Sequence, residues 1–447
     1  MLYNEAEQHW LAYENPLRII RADRAEQVVP ALQQAEAEAT AGHTAIGYVA
    51  YEAATAFDPA LRTQQGDMPL LLFAIFNEAS PAVLDPGGAV VPELHAEITE
   101  PEHARRIASV RSHLGQGDSY QVNLTFKQRG EVRGDLRRLF SRLLQNQPGI
   151  RSVYLEWEEF AVCSLSPELF FRLDGHCLSM EPMKGTRPRG IDYDEDEQLR
   201  QELLASEKER AENLMIVDMI RNDMGKIAQS GSVQVDELFQ VMRLPSLWQQ
   251  ISTVSCSTTA SIVEIFRATF PCPSITGAPK ARTMEIIRDL ESGPRGIYTG
   301  AIGYMQPGRQ ARFSVAIRTL VVDRRSGQGE LGVGGGIVWD SDAAAEWQEA
   351  LSKSRFMQQA ATPEFSLLET MLYEPGRGVF LLDQHLCRLA EAASYFGYPV
   401  DLARVQRCLQ GFSCDKPQRL RLLVDKYGRE QYQQAELSGD NEPVRLA

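Results

Sequence analysis

The sequence predicts an α+β fold with a mainly antiparallel sheet, and three observations predict it. Between the first hundred residues and the tail, strand candidates gather in two blocks, roughly residues 119–186 and 296–341. Helical patterns gather between them, so strands follow strands and helices follow helices instead of alternating. With 447 residues the chain also exceeds the size of one ordinary core, which predicts a large domain and a smaller one.

Taken in order, "AEQVVPALQQAEAEATA" reads as a helix, followed by strands at "TAIGYVAYEA" and "PLLLFAIFNEA". A second helix, "EHARRIASVRSHLGQGD", leads into "SYQVNLTFKQRGEV", where Tyr120, Val122, Leu124 and Phe126 alternate as one buried face of a strand. Strands continue through "SVYLEWEEFAVCSLSPELFFRLDG" and "CLSMEPMKGT". The acidic stretch "PRGIDYDEDEQ" reads as a solvated loop. Helical patterning then runs from Glu195 to Gln229, with Ser206 inside it and no capping box there. After "SITGAPKARTMEIIRDLE" come three more strands, ending in "ELGVGGGIVWDS". The texture changes near "MQQAATPEF", where a hairpin and helix begin a new unit. The expected division is 1–97 and 98–360 for the two parts of the large fold, and 364–447 for the small one.

Composition narrows the chemistry. A net charge of −14 disfavours nucleic acid, which needs clustered Lys and Arg. No stretch reads as a signal peptide or as a membrane span, so a cytoplasmic protein without membrane contact is expected. The seven cysteines form no C-x-x-C pair, which disfavours structural zinc and a disulfide framework. No histidine lies between His176 and His385, so central chemistry falls to Lys, Glu, Tyr or Arg.

Several residues are candidates, each with an ordinary alternative. Lys184 in "SMEPMKGTRPRG" is either a solvated charge at a strand end or a buried amine set to attack. Glu209 and Glu212, and likewise Glu346 and Glu349, are i,i+3 pairs, the second on a helix that Asp342 could cap. Two such pairs can surround a hard divalent ion, or be two solvated helix faces. Arg318 falls by strand alternation beside Ser314 and Ala316, either gripping a carboxylate or forming an ion pair at a sheet edge. Gly334, Gly335 and Gly336, with Gly332, either let a ligand approach the backbone or form a bulge. With Pro279 at the first helical position, Thr276 and Gly277 would lie at a helix N-terminus, an anion site or a plain capped start. Glu168 in "LSPELFF" is either a proton shuttle or simply exposed.

The motifs "YQVNLT", "SPELFF", "PMKGTRPRG", "AENLMIVDMIRNDMGKI", "SITGAPKA", "YTGAIGY", "FSVAIRT" and "GGGIVWDSDAAAEWQEALSK" together closely resemble the chorismate-utilising enzymes. The resemblance covers about residues 100–360 and extends weakly to "AIGYVAYEA". It implies a large two-layered antiparallel β structure wrapped by helices, with the site at the sheet interface. It further implies direct Mg²⁺ ligation by Glu212 and Glu349, with Glu209 and Glu346 in support. Substrate would be held by Tyr298, Arg318, Thr186 and the backbone of Gly334, Gly335 and Gly336, with Thr276 and Gly277 lining the pocket. Water-adding members carry a Lys where this chain has Gln121, and anthranilate-forming members carry Ala where it has Lys184. The pattern here is that of the members that aminate chorismate at C4, on the way to 4-aminobenzoate and folate. Lys184 would be the covalent nucleophile and Glu168 would move the proton.

No G-x-C-x-G elbow is present, so the resemblance implies a separate glutamine amidotransferase as the ammonia-supplying partner. Gln249 stands where many relatives have His. The tail from Phe365 resembles the start of fold-type IV pyridoxal-phosphate enzymes, with Arg388 matching their phosphate-binding arginine. Their Schiff-base lysine region has no counterpart up to Ala447, so pyridoxal phosphate is not expected here. The rival readings are the anthranilate-forming reaction, a pyridoxal-phosphate lyase, and a non-catalytic amidotransferase-binding subunit.

Overall fold

Alternation along the strands decides which residues meet. In Leu71–Phe76 every residue is buried, because Leu72 and Ala74 face one core while Phe73 and Ile75 face another. The same split runs through Thr44–Val49, where Ile46 and Tyr48 point one way and Ala45 and Val49 the other. Strands covered on both faces read as continuous apolar runs, which is how these looked in the sequence.

The computed structural model describes residues 1–4, 7–147, 149, 151–245, 247–358 and 363–437. The chain forms two compact units, Met1–Arg187 with Leu203–Ala361, and Pro188–Glu202 with Thr362–Ala447. Among the described residues the larger unit holds two ten-stranded antiparallel sheets. The central strands of the first are Gln121–Glu131, Gln328–Ile337, Thr319–Asp323, Phe160–Ser164 and Val153–Glu156. The second runs through Met183–Pro188, Leu247–Ser257, Cys177–Glu181, Leu169–Asp174, Gln310–Val315, Ala301–Gln306, Thr44–Val49 and Leu71–Phe76. Residues 1–97 supply strands to both sheets.

Inner faces of the two sheets share one core: Leu2, Val153, Leu155 and Val162 pack with Ile46, Tyr48, Leu72 and Ile302. Helices Ala25–Thr40, Glu207–Gly225 and Ile262–Thr269 cover the outside of the second sheet around Phe73, Phe171, Phe266 and Phe313. Helices Leu136–Asn146 and Ala343–Ser352 cover the first. This is the layered antiparallel α+β structure the sequence predicts. No helix among the described residues is long and apolar enough to cross a membrane.

Two expectations fail on local chemistry. The single helix through Ser206 is two helices, Tyr193–Ala205 and Glu207–Gly225. Ser206 is extended, and its hydroxyl accepts from the Glu209 N–H, as an N-cap does. The acidic stretch is not a free loop either: the first of those helices begins inside it, and buried Asp196 takes Arg189 at 2.6 Å.

The smaller unit has a four-stranded sheet, Gly378–Val379, Leu367–Glu374, Gln418–Val424 and Glu430–Glu436, with helices Leu382–Phe396 and Leu402–Gln410. Leu367, Met371, Leu420 and Leu422 form its core with Leu389 and Val405.

Candidate functional site

Two strand pairs cross from one sheet to the other side by side. Phe160–Ser164 pairs with Thr319–Asp323 in the first sheet, and Leu169–Asp174 pairs with Gln310–Val315 in the second. The links between them, 165–168 and 316–318, are tied together by Leu165 N–H to Arg318 C=O at 3.1 Å and Val315 N–H to Glu168 C=O at 3.1 Å. The crossing carries Glu168 and Arg318 into one cavity of about 250 Å³. Arg318 therefore lies beyond the strand that sequence alternation assigned to it, and adopts a left-handed φ of 49°. That conformation is strained for a non-glycine residue and recurs at functional positions.

The cavity collects most of the candidates: Glu168, Lys184, Thr186, Glu209, Glu212, Tyr298, Arg318, Gly334, Gly335, Gly336, Glu346 and Glu349. Thr276 and Gly277 are not on its wall. The helix after them starts at Lys280, with Pro279 as the preceding cap. Gly277 and Ala278 instead pair with Val122 and Gln121 as a short strand. Thr276 is fully buried, its hydroxyl turned onto the Cys272 carbonyl at 3.2 Å.

Electrostatics differ sharply around the wall. Glu168 is 3 % exposed, and burial pushes its carboxyl up to about 7. Ser274 Oγ donates to Glu168 Oε1 at 2.6 Å. Burial likewise pushes the Lys184 amine below its ordinary value, opposed by Glu212 and reinforced by Lys353. Arg318 Nη1 is buried with no hydrogen-bond partner, and burial brings its guanidinium down to about 10. A guanidinium with a free buried donor and no carboxylate beside it is a prepared anion site.

The glycines are required by close approach. A β-carbon on Gly332 would meet the Tyr298 ring at 2.2 Å. One on Gly336 would meet the Gln121 amide at 2.1 Å and the Lys184 amine at 3.0 Å. The strand Gln328–Ile337 pairs along its length with Gln121–Glu131. No bulge accounts for the glycines.

The four carboxylates come from two helix starts. Asp342 caps Ala343–Ser352 through the Ala344 and Ala345 N–H groups, which aims Glu346 and Glu349 at the cavity. Burial pushes Glu212 and Glu346 up, whereas Lys353, 2.9 Å from Glu349, holds that carboxyl down. Glu209 takes Arg187 at 3.1 Å, and Glu346 accepts from Ser341 at 2.7 Å. No three His, Cys, Asp or Glu among the described residues converge closely enough to hold a metal. The donor set still fits a hard divalent ion: all four are carboxylates on one cavity, and Glu212 has no ion pair among the described residues.

Sequence reasoning missed Asn123, Lys208, Ser274 and Lys353, all on the wall. The two lysines carried a signal, since each lies four residues from a cavity glutamate, Lys208 before Glu212 and Lys353 after Glu349. Ser274 and Asn123 lie inside the motifs "SITGAPKA" and "YQVNLT", but no local spacing marked them as site residues. Gln249 lines the cavity and donates to the Gly185 carbonyl at 2.9 Å. In the smaller unit, Arg388 is bound bidentately to buried Glu369, with His385 on the same carboxylate at 2.7 Å.

Comparison with known proteins gives a consistent result. A family model described as chorismate binding enzyme matches residues 79–359. The aminodeoxychorismate synthase component 1 of Klebsiella aerogenes is 41 % identical over 269 residues, covering 59 % of each chain. An anthranilate synthase component 1 of Haloarcula marismortui is 39 % identical over 267 residues, covering 59 % of this chain and 54 % of its own. The chain thus spans under two thirds of the length of these relatives. Among solved structures, anthranilate synthase component I from Streptococcus pneumoniae superposes with a TM-score of 0.69 at 22 % identity, over 80 % of this chain and 94 % of that one.

Proposed function

Because the chain belongs to the chorismate-binding enzyme family, we propose that its cavity aminates chorismate at C4, as an aminodeoxychorismate synthase component I, toward 4-aminobenzoate and folate. The observation that carries this reading is Lys184: its amine reaches the cavity wall beside Gly336 and Gln121, and burial lowers its pKa. An amine near its ordinary value is protonated at neutral pH and has no free lone pair, so this lowering is what a nucleophile needs.

Arg318 would take a substrate carboxylate with its free Nη1, and Tyr298 would close the wall against Gly332. Mg²⁺ would be held by Glu212 and Glu349, with Glu209 and Glu346 in support, and would polarise the ring carboxylate and ease loss of the C4 oxygen. Lys184 Nζ attacks C2, the double bond shifts, and the C4 hydroxyl leaves as water with the proton of Glu168. Glu168 then recovers a proton from the new C2 ammonium. Ammonia adds at C4 and the C2–N bond breaks, with its electron pair and one ammonium proton returning to Lys184. The sum is chorismate plus ammonia giving aminodeoxychorismate plus water.

A glutamine amidotransferase partner would supply the ammonia. The anthranilate-forming alternative is disfavoured by Lys184 at the cavity wall. The smaller unit gives no support to a pyridoxal-phosphate reaction, because Arg388 is already bound to Glu369. The test supplies chorismate, Mg²⁺ and ammonium salt and identifies the product by mass and retention. Aminodeoxychorismate is expected; anthranilate, or no consumption, contradicts the reading.

A further inference from the structure

Behind Glu168 lies a short hydrogen-bonded line that the mechanism does not use. Ser274 Oγ, 2.6 Å from Glu168 Oε1, is itself 3.1 Å from Cys272 Sγ. All three side chains are buried: Cys272 is 4 % exposed, Ser274 5 % and Glu168 3 %. Burial pushes the Cys272 thiol up to about 12, so the sulfur keeps its proton at neutral pH. A serine hydroxyl has one proton to give and can also accept. With the thiol donating to Ser274 Oγ, the serine proton is directed at Glu168 Oε1.

We propose that Cys272 is a positioning residue for the reaction: by donating to Ser274 it commits the serine proton to Glu168 Oε1. The second oxygen, Oε2, is then left to carry the proton that moves. This role rests on the reading of Glu168 as the proton carrier. Without the thiol, the Ser274 hydroxyl is free to turn and accept a proton from Oε1. That favours protonated over ionised Glu168, because a donor aimed at a carboxylate stabilises its charge more than a neutral acceptor stabilises the acid. The other charged groups acting on Glu168 are Lys184 and Arg151, with Lys280 acting on the thiol. None of them changes in the variants below.

The experiment is the pH profile of amination from chorismate and ammonium, with rates referred to free ammonia at each pH. Cys272→Ala is expected to move the inflection near neutrality upward by about half a pH unit. Cys272→Ser, which restores an O–H donor, is expected to return it to within about 0.2 unit of the parent. Ser274→Ala is expected to move it further up than Cys272→Ala. Should Cys272→Ala not fold, Cys272→Val fills the space without a donor and takes its place. An unmoved inflection in the Ala or Val variant, or equal shifts in the Ala and Ser variants, overturns the proposal. Glu168→Gln separates the two ideas. If it removes the inflection while Cys272→Ala leaves it in place, only the positioning role fails. If it keeps a parental inflection, the reading of Glu168 fails and takes the proposal with it.

Discussion

Arg318 and Arg388 both look like anion-holding arginines in the sequence, and the structure treats them oppositely. Arg318 is half-buried on the wall of a cavity, with its buried Nη1 unpartnered and no ion pair to a carboxylate among the described residues. Arg388, with its side chain 63 % exposed, lies bidentately on the buried carboxylate of Glu369. A ligand arginine is recognised by donors the protein leaves free, and a structural arginine by donors it fills. The contrast extends to the units that carry them. The larger unit keeps a lysine amine, a carboxyl raised by burial to about 7 and an unpartnered guanidinium nitrogen around one cavity. The smaller unit neutralises its buried charge internally.

The comparison can be broken at several points. The largest effect is expected at Lys184: Lys184→Ala should lower amination on the order of 10³-fold or more, with an unchanged melting temperature. Next is Arg318→Gln, which removes a charge-assisted contact and should raise KM for chorismate about 10- to 100-fold. Arg388→Gln should leave both kinetic constants within about twofold of the parent, since it is a smaller-unit change outside the cavity. If Arg388→Gln matched Arg318→Gln in its effect on KM, the distinction between the two arginines would be wrong. In the smaller unit, Glu369→Ala should cost about 2 kcal/mol by leaving His385 and Arg388 without their buried partner, seen as faster amide exchange in Leu367–Glu374.

The smallest effect is on stability against pH. Glu168 and Glu52 are both pushed by burial from 4.5 to about 7. Between those values the folded chain holds protons that the unfolded chain has released, so their contribution is full below about pH 4.5 and is lost as pH rises through 7. Denaturant titrations of Glu168→Gln and Glu52→Gln variants should show a flatter pH dependence over that window than the parent.

What the sequence made legible was local. The i,i+3 spacings of Glu209 with Glu212 and Glu346 with Glu349 follow from helix geometry alone, and Asp342 announced its cap. The glycine run 332–336 was visible, although its cause was not: the Tyr298 ring comes from a turn and the Gln121 amide from a strand, both distant in sequence. Arg318 was found but placed wrongly, because its position depends on two strand pairs changing sheets together. Thr276 and Gly277 were read as a helix start, and pairing with Gln121 and Val122 took Gly277 elsewhere. Ser274 and Asn123 lie inside the motifs "SITGAPKA" and "YQVNLT" yet were not singled out, since tertiary crossings bring them to the wall and no local spacing records that. At Ser206 a local signal was present and was outweighed by the helical pattern on both sides.

The central claim is that the Lys184 amine bonds covalently to the substrate, and trapping tests it most directly. The protein is incubated with chorismate and Mg²⁺ without ammonia, quenched, digested and examined by mass spectrometry. The account predicts the mass of chorismate less one water on the peptide containing Lys184, lost when ammonium is added and missing in Lys184→Ala. Amination that proceeds at the parental rate in Lys184→Ala, with no adduct on that peptide in the parent protein, would contradict it.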